Sequence, residues 1–180
     1  MTVPILFGRR VTLRAPTPED AAGRLALGQS PEIIRMYGVD PDAVSPLTET
    51  GARLWADSLA KHPYAWIIEH EGELLGEIRL DALDKLDRRA RLAIGFFDAA
   101  KLGIGLGREA ICVVVKHAFH ELGLHRIGLR VLAYNTRAIR CYSACGFVEE
   151  GREREAAFVA GQWHDDVMMG LLDREARYIG

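Results

Sequence analysis

The sequence predicts an α+β fold, a mixed and mostly antiparallel sheet of about 7 strands flanked by about 4–5 helices. Three observations predict it. Helical signals fill the first third of the chain, an alternating meander follows, and the remainder switches from strand to helix to strand. That order builds one sheet with helices against it, not a set of repeated βαβ units.

Residues 11–14 alternate as Val-Thr-Leu-Arg, a short strand ended by Ala15-Pro16. Thr17 is placed to cap a helix reaching Gln29, with Pro18 in its first turn and Glu19 and Asp20 at its positive end. Ser30-Pro31 repeats the cap-plus-proline signature and starts a short helix to about Met36. Residues 37–46 carry Gly38, Pro41, Pro46, Asp40 and Asp42 and form a loop. Residues 47–62 form a third helix, with Leu54, Trp55, Ser58 and Leu59 near one face.

From Tyr64 the period shortens. Residues 65–69 and 74–80 are strands joined by a Glu71-Gly72 turn, and a charged turn over 84–89 leads to a strand over 90–97. Gly105 opens a long helix ending near Leu122, where Gly123 supplies the C-cap. A strand over 125–133, a helix over 136–145 and strands over 147–159 and 166–172, turned at Gly161, complete the pattern.

Composition narrows the functional classes. At 180 residues the chain has the size of a single domain, expected to span residues 1–180. Lys and Arg total 23 against 25 Asp and Glu, and no basic stripe interleaves with aromatics, so nucleic acid is not an expected partner. The three cysteines form no CxxC pair, which fits a reducing compartment. No apolar run approaches the length of a membrane span. The expectation is a cytoplasmic protein without a membrane partner.

The strongest local signal is Leu102-Gly103-Ile104-Gly105-Leu106-Gly107-Arg108, in which three glycines alternate between a strand and a helix start. Absent side chains let a ligand approach the backbone, and a helix N-terminus offers free N–H groups to an anion such as a pyrophosphate. A glycine-rich connector without a ligand remains the plain alternative. A P-loop is excluded, because Gly107 is followed by Arg108-Glu109 and not by Lys-Ser or Lys-Thr. A dinucleotide fingerprint also fails: Arg108 stands where its third glycine belongs, and the next strand ends at Ala133-Tyr134 without a carboxylate. His117, His120 and Glu121 share a helix with Cys112 but lack the HExxH order, so no metal site is expected.

The second signal is Asn135, Ala138, Tyr142, Gly146 and Phe147, spaced as Asn-x-x-Ala-x-x-x-Tyr-x-x-x-Gly-Phe. With the glycine loop, it resembles the GNAT superfamily of N-acetyltransferases, whose cofactor loop is written Gln/Arg-x-x-Gly-x-Gly/Ala. Arg10-Val11-Thr12-Leu13-Arg14, Gly103, Glu109-Ala110 and Gly161-Gln162-Trp163-His164-Asp165 are similar to its RimJ/RimL-like branch. Leu102 departs from the family pattern, standing where Gln or Arg is common, and Ile104 stands where a basic residue is common.

The resemblance implies a sheet splayed at a cofactor cleft and acetyl-coenzyme A as cosubstrate, without metal. Its phosphates would rest on Leu102, Gly103, Ile104, Gly105, Leu106, Gly107 and Arg108. Its pantetheine would pair with the strand edge at Gly95, Phe96 and Phe97, and Asn135 would belong to the same site. An amine, on a small molecule or at a protein N-terminus, would attack the thioester directly while Tyr142 protonates the departing sulfur. Glu77 and Asp98 are candidate bases, and for each a solvated strand carboxylate is the alternative; for Tyr142 it is a packed helix aromatic. The resemblance also implies a homodimer, for which the apolar hairpin around Phe158 and Trp163 is the candidate interface. The competing class is a coenzyme A-binding regulatory module without turnover.

Overall fold

A computed structural model of the protein describes residues 3–176. Its strands are β1 (Leu6–Phe7), β2 (Val11–Arg14), β3 (Ala65–His70), β4 (Glu73–Asp84), β5 (Arg89–Phe96), β6 (Arg126–Leu132), β7 (Val148–Val159) and β8 (Gln162–Leu172). Its helices are α1 (Asp20–Ala26), α2 (Pro31–Met36), α3 (Glu49–Ala60), α4 (Leu106–His120) and α5 (Thr136–Ala144). The strands form one sheet in the order β1-β2-β3-β4-β5-β6-β8-β7. Every neighbouring pair is antiparallel except β5 and β6.

Alternation along β3 shows how the layers are divided. Trp66 and Ile68 join the main core, where Ala110, Ile111, Val114 and Ala118 of α4 are also buried. Ala65 and Ile67, on the opposite face, pack with Leu59 of α3. With both faces covered, β3 reads as an apolar run instead of an alternating one. Two-residue turns set the hairpin registers: Glu71 and Gly72 have φ of 53° and 80°, the double positive φ that matches the twist of flanking strands.

Most expected elements are present, and the differences have local causes. The sheet has an eighth strand, β1, too short to announce itself. Helix α1 starts later than Thr17, because the chain opens with three-residue turns, Asp20 N–H bonding the Thr17 carbonyl, Ala21 that of Pro18 and Ala22 that of Glu19. The buried face of α3 is Ala52, Ala56 and Leu59, with Leu54 and Ser58 exposed, so small residues let this helix sit close. Ser30 caps α2 as expected, and Thr48 caps α3.

Candidate active site

Strands β5 and β6 pair in parallel at three positions only, Arg89 with Arg126, Ala90 with Ile127 and Arg91 with Gly128. Beyond these pairs they diverge, and a cleft of about 1220 Å³ opens between them. Helix α4 enters this cleft by its N-terminus. Gly105 is its N-cap at φ 90°, and the first intrahelical bond runs from Glu109 N–H to the Gly105 carbonyl. The N–H groups of Leu106, Gly107 and Arg108 precede that bond and lack helical acceptors. A Cβ on Gly107 would meet the Phe96 ring at 3.4 Å, so the loop lies directly against β5.

The side chains of this loop are not equivalent. Leu102 and Arg108 border the cleft, together with Gly103, Gly105 and Gly107. Ile104 is half-exposed outside it, and Leu106 is buried in the core. Only the backbone of these last two is left to meet a ligand. A brace invisible in the sequence fixes the loop: Arg10 Nη1 donates to the Ile104 carbonyl at 3.0 Å, and Glu109 accepts the backbone N–H groups of Arg10 and Val11.

Tyr142, on α5, borders the cleft on the loop side, its ring edge-on to Phe147 at 6.0 Å. Burial pushes its phenol above the ordinary tyrosine range, with Cys141, Tyr37 and Cys145 adding in that order. Asn135 also borders the cleft, where its side-chain oxygen caps α5 by accepting the Ala138 N–H. Beneath them Cys112, Cys141 and Cys145 cluster, and Cys145 Sγ points to the Arg108 carbonyl at 3.7 Å.

The other face of β5 has a different character. Glu77 pairs across the sheet with Gly95, accepts Trp55 Nε1 at 2.5 Å and is bound by Arg79. Trp55 stands edge-on to Phe97 at 5.5 Å, and the Arg24 guanidinium lies over that ring at 4.2 Å. Tyr37 covers Gly95, where a Cβ would collide with its hydroxyl, and donates to the Phe96 carbonyl at 3.2 Å. Burial, and then the charge of Glu77, push the Tyr37 phenol up as well. Of the three residues expected at the strand edge, Phe96 turns its carbonyl toward the cleft, whereas that of Gly95 faces Gly76 of β4. Asp98 caps the turn over Ala99–Lys101 and lies outside the cleft lining.

Helix α2 and the two residues after it strap the mouth of the cleft between β5 and β6. Tyr37 touches β5, while Gly38 abuts Leu132 of β6, Tyr134 donates to the Arg35 carbonyl and Arg137 pairs with Glu32 at 2.7 Å. Sequence reasoning missed Tyr37, Arg24 and the buried cleft carboxylate Asp166. Their roles depend on contacts between distant elements, and none belongs to a spaced motif. Among the described residues, no group of three or more His, Cys, Asp or Glu is arranged around a metal position. No helix among them is long and apolar enough to cross a membrane.

The profile of the acetyltransferase (GNAT) domain matches residues 10–148. The chain belongs to the GNAT acetyltransferase family. The prophage-derived N-acetyltransferase YokL of Bacillus subtilis (strain 168) is 27% identical over 97% of both chains. The N-acetyltransferase YoaA of the same organism is 32% identical over 94% of this chain and 97% of its own. A crystal structure of spermidine N-acetyltransferase from Vibrio cholerae, in complex with CoA and spermine, superimposes with a TM-score of 0.77 at 25% identity, covering 92% of this chain and 97% of the other. This GNAT protein is an acetyl-coenzyme A-dependent N-acetyltransferase, and its sheet is the mixed, splayed sheet of that family. The free N–H groups at the start of α4 are donors of the kind that hold an anion, and the Phe96 carbonyl at the strand edge accepts the Tyr37 hydroxyl.

Proposed function

We propose that this acetyltransferase moves the acetyl group to a primary amine, of a small molecule or a protein N-terminus, that enters on the Tyr37 and Trp55 side of the cleft. A single observation carries this reading. The short β5–β6 seam opens into a cleft with α4 and Tyr142 on one side and Tyr37, Glu77 and Trp55 on the other. Bound acetyl-coenzyme A supplies the activated acetyl group, its phosphates held by the backbone from Leu102 to Arg108 and by the side chain of Arg108. Asn135 steadies α5 and so places Tyr142.

Tyr142, kept protonated by burial, donates to the departing sulfur. Its high proton affinity makes the transfer complete only as the phenol takes a proton back from solvent, which balances the proton that the amine released toward Glu77. Glu77 accepts the proton of the attacking amine through a water, since Trp55 and Arg79 already engage its two oxygens. Tyr37 closes the cleft above Gly95 and excludes bulk water from the reacting carbonyl.

The sequence similarity around Arg10 and Trp163 supports a place in the RimJ/RimL-like branch, and with it a protein N-terminus among the acceptors. Phe158 and Trp163, each more than half exposed with rings 4.9 Å apart, supply the apolar contact of a homodimer. Sedimentation across the working concentration range tests that assembly. The decisive experiment for the activity is a screen of amines and peptide N-termini with acetyl-coenzyme A, read by mass spectrometry. It should yield acetylated amine and free coenzyme A in equal amounts. Coenzyme A binding without any acetylated product would instead assign a regulatory binding role, the direction in which the Leu102 departure points.

A further inference from the structure

The geometry points to an acceptor amine that also carries a carboxylate, received by the Arg24 guanidinium at the inner end of the acceptor half of the cleft. This rests on the transfer reading above and specifies the class of its substrate.

Arg24 is half-buried, yet among the described residues it has no carboxylate partner. Its Nη1 donates to the Gly28 carbonyl at 2.6 Å, and its Cζ lies over the Phe97 ring. A guanidinium carries five N–H donors, so most of its hydrogen-bonding capacity is unanswered by protein. Other sheltered arginines of this chain are answered. Arg14 binds Asp20 and Glu69, Arg126 binds Glu150, and Arg79 binds Glu77 and Asp81. Arg14 and Arg126 are pushed up by their carboxylates, whereas burial is the largest influence on Arg24 and pulls it down, and no ion-paired carboxylate offsets it. Glu77 forms no ion pair with Arg24 and is held instead by Trp55 and Arg79.

The sheet separates this cation from the cosubstrate loop. Gly95, Phe97 and their cross-strand neighbour Glu77 share the face covered by Tyr37, Trp55 and Arg24, whereas Phe96 turns the other way, toward Gly107. An anion reaching Arg24 therefore arrives with the acceptor and not with the cosubstrate phosphates. The aromatic walls of Phe97 and Trp55 favour a flat group, and a carboxylate matches the fork of a guanidinium with two parallel hydrogen bonds. The same cation repels a polyamine tail.

The test compares straight-chain amino acids, from glycine to 6-aminohexanoate, with their primary carboxamides and with spermidine. Initial rates are measured with acetyl-coenzyme A, and affinities by calorimetry on the coenzyme A-bound protein. At the best-fitting length the carboxylate should exceed its amide by roughly ten- to hundredfold, the range for a hydrogen-bonded charge. Arg24→Gln should bring that ratio close to one, and Arg24→Lys, which keeps charge and bulk, should retain part of it. A wild-type ratio near one at every length, spermidine outperforming every carboxylate, or a ratio that survives in Arg24→Gln overturns the proposal. The affinity ratio decides the matter even if no amine is acetylated, so failure of the transfer reading is separately visible. Should Arg24→Gln not fold, the wild-type and Arg24→Lys ratios decide the same question.

Discussion

Glu109, in the first turn of α4, accepts the backbone N–H of Arg10 at 2.5 Å, although 99 residues separate them in the chain. The same carboxylate takes the Val11 N–H at 3.2 Å and the Arg10 side chain at 3.2 Å. Gly8 makes room for it, since a Cβ there would lie 2.5 Å from a Glu109 oxygen. One acidic side chain thus ties the start of strand β2 to the helix that carries the glycine loop.

Burial opposes ionisation of Glu109, but the Arg10 and Val11 N–H groups and the Arg10 guanidinium outweigh it and hold the carboxyl below the ordinary glutamate range. A depressed carboxyl contributes stability above its unfolded value, about pH 4.3, and that contribution is lost as pH falls through the folded value. Glu109→Gln should cost about 1 kcal/mol at neutral pH and flatten the acid limb of stability against pH. Denaturant unfolding of both proteins from pH 7 to pH 3 checks this; parallel acid limbs would contradict it.

Gly105→Val should abolish coenzyme A binding. Gly105 holds φ at 90°, where a β-branched residue is strained, and a Cβ there would approach Arg10 Nη2 at 3.1 Å. Gly107→Ala is the milder probe, since its Cβ would only touch the Phe96 ring while adding a methyl to the loop, and it should weaken binding severalfold without unfolding. Calorimetric titration with coenzyme A measures both, and wild-type affinity in a folded Gly105→Val protein would remove the loop from the site.

Tyr142→Phe should lower kcat by roughly 10²–10⁴-fold and leave the coenzyme A dissociation constant nearly unchanged. Because burial raises the phenol, the wild-type enzyme should show no loss from its ionisation below about pH 10, the ordinary tyrosine value. Above that pH the sign is fixed: the unfolded chain releases the proton first, so folding stability falls as pH rises, with Tyr37 adding to the effect. Turnover in the Phe variant within a fewfold of wild type, measured where chemistry limits the rate, would return Tyr142 to a packing role.

The thiols beneath the loop should differ sharply in reactivity. A hydrogen bond from Cys145 pulls the Cys112 thiol down to about 7, against burial and with help from Arg108. Hydrogen bonds to Cys112 and Cys141, together with burial, push Cys145 up. Brief iodoacetamide treatment at pH 7.5 should therefore modify Cys112 well before Cys145, as peptide mapping would reveal. Equal labelling of the two would count against this hydrogen-bonded arrangement.

What could be read from the chain follows a physical division. Gly105 and Gly107, the cap at Ser30 and the Glu71-Gly72 turn act over a few residues, so their meaning is local and legible. Thr17 misleads because its hydroxyl meets the Glu19 carboxylate and caps no backbone N–H. Strand β8 begins at Gln162, four residues before the expected Asp166, because its first half pairs with an exposed edge strand and needs no apolar pattern. Arg24, Tyr37 and Glu109 gain their roles only when elements from opposite ends of the chain meet, and no spacing encodes that.

The short seam between β5 and β6 reaches beyond catalysis. Past Arg91 and Gly128 no pairing joins the two strands, so the sheet is left incomplete at its centre. Under the proposed placement, the cosubstrate serves as the missing piece of backbone between them. Whatever binds the native state and not the unfolded one stabilises it, by about 2.7 kcal/mol at a hundredfold excess over the dissociation constant. A chain that leaves its sheet for a metabolite to finish links its own persistence to supply. When acetyl-coenzyme A runs short, this protein would open more often, and proteases would remove first the copies that have nothing to transfer.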